Sequence, residues 1–402
     1  MSYFKTQDKK DCCACSACIQ GCPVQAIRFV NDGEGFAYPV IDKDTCINCG
    51  LCERICPVSN PKYDNSDSPE VYASLLKDVE ERKKSTSGGI FYAIAEWVLD
   101  KNGVVFGAAM DEQHQVRHIA VENYLDLQPL RGSKYVQSAM GDIFPQVKKN
   151  LQEGRWCYFT GTGCQVAGLK AYLRKEYDIL ITSDVVCHGV PSQWLYDQHI
   201  SYLEKKHKGK VIDYHFRNNE KGSGGEIIVT ETPKGKIKRI YNPTYYLSPY
   251  LYSFMYGMTS RLSCYDCKFA RMPRQGDITL ADFWGVKEFF PDMDNSKGVS
   301  LCLINNEQGK KVWDAIKETC DYRKSNVQDA AKHNGNLTGV SQAHELRTTI
   351  YDNIKKDGYD KVAGKEFRHP RHNKIRVNAW INQSRFLSAC VKGLSWLKHK
   401  IM

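Results

Sequence analysis

Cys12, Cys15, Cys18 and Cys22 are followed by Pro23, and Cys46, Cys49, Cys52 and Cys56 are followed by Pro57. Both runs read C-x2-C-x2-C-x3-C-P and superimpose at an offset of 34 residues, so the segment is an internal duplication. A tight C-x2-C-x2-C loop can offer thiolates to three corners of a cubane. The fourth Cys opens a short helix and reaches the other cubane. The spacing therefore predicts two 4Fe–4S clusters, one on Cys12, Cys15, Cys18 and Cys56, the other on Cys46, Cys49, Cys52 and Cys22. Paired C-x2-C units also bind zinc, but a zinc ribbon has no use for the Cys-Pro that closes each run. Cys13 is left over, as a spare thiol.

Four further cysteines have unusual surroundings. Cys164 follows a Gly-rich turn, Cys187 ends an apolar strand and precedes His188, and Cys264 and Cys267 form a C-x2-C pair. On spacing alone they fit either a third tetrathiolate site or buried structural thiols with one isolated pair. Cys157, Cys302, Cys320 and Cys390 stand in apolar or helical contexts and read as structural. Two turns, Ser87-Gly88-Gly89 and Gly161-Thr162-Gly163, precede helices. They offer backbone N–H groups suited to phosphate or serve as ordinary loop glycines; neither completes G-x-G-x-x-G.

These residues need elements to place them. A chain of 402 residues exceeds one ordinary core and suggests two or three domains. With 42% hydrophobic and 25% charged residues it has the composition of a soluble globular protein. No apolar run spans a membrane and the N-terminus has no signal-peptide core, so a cytoplasmic, thiol-preserving compartment is expected. Residues 61–70 read as a Pro/Ser/Asn/Asp-rich linker. Strand and helix patterns then alternate: strands over 71–76, 104–109, 117–122, 156–160 and 179–186, and helices over 91–99, 141–151 and from Gly163 to Leu173. The expected class is α+β: a cluster-bearing N-terminal domain over 1–60, an α/β mixed-sheet domain over 71–325 with a less regular β-rich part, and a helical extension over 326–402.

The segments SGGIF (87–91), LRGSKYVQS (130–138), GTGCQVAGLK (161–170), DVVCHGVPS (184–192), HFRN (215–218) and CYDCKFARMPRQGDITLADFWG (264–285) resemble, in this order, the coenzyme F420 hydrogenase/dehydrogenase beta-subunit family. The resemblance covers about residues 70–325, and residues 8–60 resemble a two-cluster bacterial ferredoxin. It implies a flavoprotein that binds FAD beside a 4Fe–4S cluster held by Cys164, Cys187, Cys264 and Cys267. The implied flavin-side residues are Ser87, Gly88, Gly89, Gly132, Ser133, Lys134, Tyr135, Gln137 and Ser138, with Asp277 and Asp282 at the family's acidic positions. Gly163 stands where the family usually has proline.

The expected function is an iron–sulfur flavoprotein oxidoreductase. Electrons would pass from a ferredoxin-type partner protein through the N-terminal clusters and the third cluster to FAD. An organic acceptor would follow, coenzyme F420-like or from a surface-polysaccharide pathway. Lys134 is a candidate to stabilise anionic reduced flavin or to contact phosphate, His188 a candidate proton donor or a structural histidine, and Arg217 a candidate for an acidic substrate or a structural ion pair. The alternatives are a non-catalytic electron-transfer subunit feeding a partner enzyme, and a metal-stabilised scaffold. Charge is uneven: residues 1–70 carry 7 Lys/Arg against 10 Asp/Glu, and residues 365–402 carry 9 against 1. Trp380, Ile381, Phe386, Leu387, Val391, Leu394 and Leu397 alternate with these basic residues, as in a packed C-terminal helix or one lying on an anionic membrane. No nucleic-acid motif accompanies the charge.

Overall fold

The computed structural model describes residues 2–218 and 224–383. The duplication in the sequence is a duplication in three dimensions. Ala14 and Ser16 in the first cysteine loop take φ of 54° and 71°, and Asn48 and Gly50, 34 residues on, take 52° and 65°. One-turn helices follow at Ala17–Gln20 and Leu51–Arg54, again 34 apart. Left-handed residues between the cysteines turn the loop back on itself, which aims successive thiols inward rather than along a strand. Between the two loops lies a hairpin of β1 (Ile27–Asn31) and β2 (Ala37–Ile41).

The main domain is built on β3 (Glu70–Leu76), β4 (Val104–Met110), β5 (Val116–Val121), β6 (Cys157–Thr162), β7 (Leu180–Val185), β11 (Ile278–Asp282), β12 (Ser300–Ile304) and β13 (Cys320–Ser325). They form one eight-stranded sheet in the order β13-β3-β12-β11-β7-β6-β4-β5. The central strands β11, β7, β6 and β4 are parallel, and the flanking pairs are antiparallel. All five residues of β12 and the first five of β7 are buried, as strands covered on both faces must be. Period-two alternation sorts them. Val105, Tyr158 and Ile181 pack under the helices Ile90–Leu99 and Glu307–Ile316. Phe106, Phe159 and Leu180 pack under Ile143–Gln152 and Gly163–Leu173. Full burial of each such side chain is worth about 1.5–3 kcal/mol. Cys157, Cys302 and Cys320 are buried free thiols in these layers, in keeping with structural roles.

A second sheet of β8 (Lys210–Asn218), β9 (Gly225–Glu231) and β10 (Ile237–Asn242) is antiparallel. Its Tyr214 and Phe216 join an aromatic core with Tyr196, Tyr250 and Tyr359. Phe36 and Tyr38 of the β1–β2 hairpin belong to the same core, as do Ile350, Tyr351, Ile354 and Val362 from beyond β13. The N-terminal unit and the helices over 350–365 are thus packed into the main body. The segment read as a linker is also held. Asn65 Nδ2 donates to Arg274 O and Gly276 O at 2.8 Å each, and Tyr63 Oη donates to Lys268 O at 2.9 Å. The described chain ends in a helix, His372–Gln383, with Trp380 exposed; Phe386, Leu387, Cys390, Val391, Leu394 and Leu397 lie outside the described residues. No helix among the described residues is long and apolar enough to cross a membrane.

Buried neutral histidines make this fold acid-sensitive. Burial pulls His118 down to about 4 and His199 to about 3, so both stay neutral while the unfolded chain protonates near 6.5. The unfolded state then binds more protons below about pH 6.5, and stability falls as pH drops from there toward about 4. Urea midpoints measured across that range should decline, and His199→Gln should flatten the decline. An equal slope in the variant would remove His199 from the account.

Candidate functional site

One set of N-terminal thiols converges. Cys12, Cys15, Cys18 and Cys56 line one small cavity, although Cys56 lies 38 residues from Cys18 in sequence. Cys46 acts on the ionisation of Cys52 across the second loop, whose Cys49 is exposed, while Cys22 is half-buried. Backbone amides point at sulfur. Ala14 N–H donates to Cys12 Sγ and Asn48 N–H to Cys46 Sγ, both at 3.4 Å, and Ala26 N–H donates to Cys22 Sγ at 3.3 Å.

The other four thiols meet in the main domain. Cys164 opens the helix after β6, Cys187 lies just past β7, Cys264 lies on a short turn at 262–266, and Cys267 directly follows that turn. Cys164, Cys187 and Cys267 all act on the ionisation of Cys264, and Cys164 acts on Cys187 and Cys267 as well, so the four share one half-buried cage. Burial and mutual repulsion push the Cys187 thiol up to about 12 and Cys267 to about 11. Such a cage opposes four bare thiolates and suits a cationic iron–sulfur core that neutralises them. Gly189 N–H donates to Cys187 Sγ and Phe269 N–H to Cys267 Sγ, each at 3.4 Å, repeating the N–H···S pattern of the N-terminal loops. Among the described residues, no group of three or more Cys, His, Asp or Glu closes tightly enough to hold a single metal ion. Gly163 packs its Cα side toward Phe269 and Asp184 without displacing Cys164 from this cage.

All four thiols line a cavity of about 770 Å³. It opens at the carboxyl ends of the parallel strands, since Ala108, Thr160, Val185 and Asp282 of β4, β6, β7 and β11 also line it. That is where open parallel sheets bind ligands, and the volume is in the range of cofactor pockets. Of the sequence-predicted residues, Ser87, Gly89, Gly132 and Ser133 line the cavity, as do Lys134, Tyr135, Gln137 and Ser138, and His188 and Asp282. Gly89 takes φ of 92° at the start of the helix Ile90–Leu99, which glycine alone adopts cheaply. Gly88 and Asp277 do not line the cavity. A Cβ on Gly88 would meet Ser74 O at 2.2 Å, so this glycine permits close backbone packing. Asp277 Oδ2 accepts from Thr182 N and Oγ1 at 2.7 Å each, and Oδ1 accepts from Asn306 Nδ2 at 2.8 Å, so it ties strand ends together.

Lys134 Nζ donates to Pro129 O at 2.6 Å and Arg131 O at 2.9 Å, which leaves one ammonium hydrogen free of these bonds. Crowding by protein atoms draws its pKa down to about 7. Burial also lowers His188. Arg217 is ion-paired with Asp282 and stands 5.4 Å from the Trp284 ring centre, so this arginine is already partnered.

Several lining residues carried no sequence signal. His118 Nδ1 is 2.6 Å from Ser138 Oγ, and Nε2 is 3.1 Å from Thr160 O. Arg261 and Arg274 are buried cations at the cavity wall. Cys13, the spare thiol, is the one residue among those described that lines both this cavity and the small N-terminal one.

Residues 11–60 match the family model of the 4Fe-4S dicluster domain, and residues 154–329 match the C-terminal family model of the coenzyme F420 hydrogenase/dehydrogenase beta subunit. Residues 11–60 are thus similar to a dicluster iron–sulfur domain, and residues 154–329 to part of a hydrogenase/dehydrogenase subunit. The segments SGGIF and LRGSKYVQS lie before residue 154, outside the matched part. No curated protein matches the chain. Among solved structures, a chain of the F420-reducing NiFe hydrogenase complex from Methanosarcina barkeri is similar at 16% identity and a TM-score of 0.39, over 71% of this chain and 90% of that one.

Proposed function

We propose that the chain is an iron–sulfur flavoenzyme that moves electrons between its N-terminal clusters and an organic acceptor, coenzyme F420-like or from a polysaccharide pathway. In this reading Cys12, Cys15, Cys18 and Cys56 hold one 4Fe–4S cluster, Cys22, Cys46, Cys49 and Cys52 a second, and Cys164, Cys187, Cys264 and Cys267 a third. The rest of the large cavity's lining would hold FAD. The clusters supply one-electron steps, and the flavin exchanges an electron pair with the acceptor.

The observation that carries the reading is the placement of Cys13. One residue separates the cavity of Cys12, Cys15, Cys18 and Cys56 from the cavity that holds the other four thiols. Exposed Cys49 and Ile47, at the far loop, leave that end open to a redox partner such as ferredoxin. Within the cavity, the first-turn amides after Gly89 suit a phosphate, the free hydrogen on Lys134 Nζ suits an anionic group, and His188 can hold a proton at its ring. These roles support FAD and leave room for the acceptor beside Trp284.

Anaerobic purification followed by iron, sulfide and flavin analysis tests the reading. About twelve irons and one FAD per chain are expected, at four irons per cubane. The variant with both Cys187 and Cys264 changed to alanine should lose about four irons and keep the other eight or so. About eight irons and no flavin in the unaltered chain would leave an electron carrier in place of the enzyme.

A further inference from the structure

Arg274 lies in the segment between Cys267 and β11, only 2% exposed. Its Nη2 donates to Val185 O at 3.0 Å and stands 3.0 Å from Asp184 Oδ2. Asp184 is itself fully buried, and its Oδ1 accepts from Thr279 Oγ1 at 2.5 Å. Asp184 and Val185 close β7, just before Cys187. The carboxylate thus fixes one edge of the guanidinium against the strand end.

Two of its other donors are unsatisfied. Arg274 Nε and Nη1 have no hydrogen-bond partner. Arg82 and Arg131, the other buried arginines with an orphan donor among the described residues, each leave only Nε. A buried N–H without an acceptor is destabilising, and a charged one more so. Two on one cation mark a missing acceptor. The guanidinium lines the large cavity beside Cys187 and Cys267, and its charge acts on both thiols.

We infer that Arg274, clamped by Asp184, brings a fixed positive charge and an unsatisfied N–H to the third cluster and raises its reduction potential. The inference rests on the reading that Cys164, Cys187, Cys264 and Cys267 hold a cluster. Adding an electron makes the cluster more negative. A fixed cation with a free N–H stabilises that reduced form more than the oxidised one. The third cluster would then draw electrons from the N-terminal clusters, and Arg274 is a potential-setting residue, not one that touches the acceptor.

The test is a potentiometric titration of the intact, cluster-loaded chain, read by electron paramagnetic resonance, with iron counted on each sample. Arg274→Gln should keep about twelve irons. At fixed potential it should lower the reduced-to-oxidised ratio of the third cluster about tenfold, or about 59 mV for a one-electron couple. The two N-terminal clusters should be unmoved. Arg274→Lys, which keeps the charge but not the fork, should fall between. Because Arg274→Gln strands the buried Asp184 carboxylate, the double variant Arg274→Gln/Asp184→Asn carries the same test with the charge pair removed together. A third-cluster potential unchanged in both glutamine variants, with iron retained, overturns the inference alone. Absence of a third set of four irons in the unaltered chain overturns the cluster reading and this inference with it.

Discussion

Arg261→Ala is expected to cost about 3–5 kcal/mol and to loosen the N-terminal unit from the sheet domain, the largest stability effect of any single side chain at this junction. Arg261 is fully buried. Nε donates to Cys12 O at 2.7 Å, Nη2 to Ala37 O at 2.8 Å, and Nη1 to Gln137 Oε1 at 3.3 Å. The guanidinium also lies 4.1 Å from the Tyr38 ring centre. Gln137 in turn donates to Cys13 O at 3.2 Å. One side chain therefore holds both the first cysteine loop and the hairpin. Among the described residues no carboxylate pairs with it, so its partners are carbonyls, an amide and a ring. Alanine leaves two buried carbonyls without donors, and lysine restores the charge without the fork. Urea unfolding of cluster-loaded samples measures the loss. A midpoint unchanged by the alanine substitution would mean that Phe36, Tyr38 and the Glu34–Arg347 ion pair hold the unit unaided.

Gly168→Ala should have the second largest effect, and it reads out in iron. Gly168 lies on the helix Gly163–Leu173, four residues after Cys164, so the two share a face. A Cβ there would stand 2.8 Å from Cys15 Cβ and 3.1 Å from Cys15 Sγ. Neither side can yield easily. The helix is packed on the sheet through Val166 and Leu169, and Cys15 sits between Ala14 and Ser16, both at positive φ. Overpacking of this kind costs about 1–3 kcal/mol. Here it also displaces a thiol predicted to ligate the first cluster. Loss of about four irons is expected, with the Cys164 cage intact. Full iron content and an unaltered spectrum in Gly168→Ala would show that the Cys15 loop moves freely, and would weaken the close approach of the two cysteine sites.

Local elements were legible because their signals are local. The C-x2-C-x2-C-x3-C-P repeat carries its loop and its helix in ten or so residues, and the 34-residue offset recurs in the backbone angles. The alternating strands from Val71 to Val186 were legible for the same reason: apolar runs bounded by turns name a buried strand. Less was legible where a role depends on what a residue packs against. Asp277 reads as an acidic site residue near Cys267, yet its carboxylate staples Thr182 to Asn306. Residues 61–70 have a linker's composition, yet Tyr63 and Asn65 are bonded to the main domain.

By itself the sequence determined the duplicated cysteine spacing and the order of strands and helices between Val71 and Val186. These follow from spacing and periodicity within a few turns of backbone. Tertiary structure alone decided that Cys13 stands between two cavities, that Gly168 meets Cys15, and that Arg261 and Arg274 bring buried charge to the thiols. The longest of those contacts, Arg261 to Cys12, joins segments 249 positions apart. No periodicity spans such distances; the sheet order places Cys164 and Cys187 at adjacent strand ends, and side-chain volume and unsatisfied hydrogen bonds then select what can lie beside them.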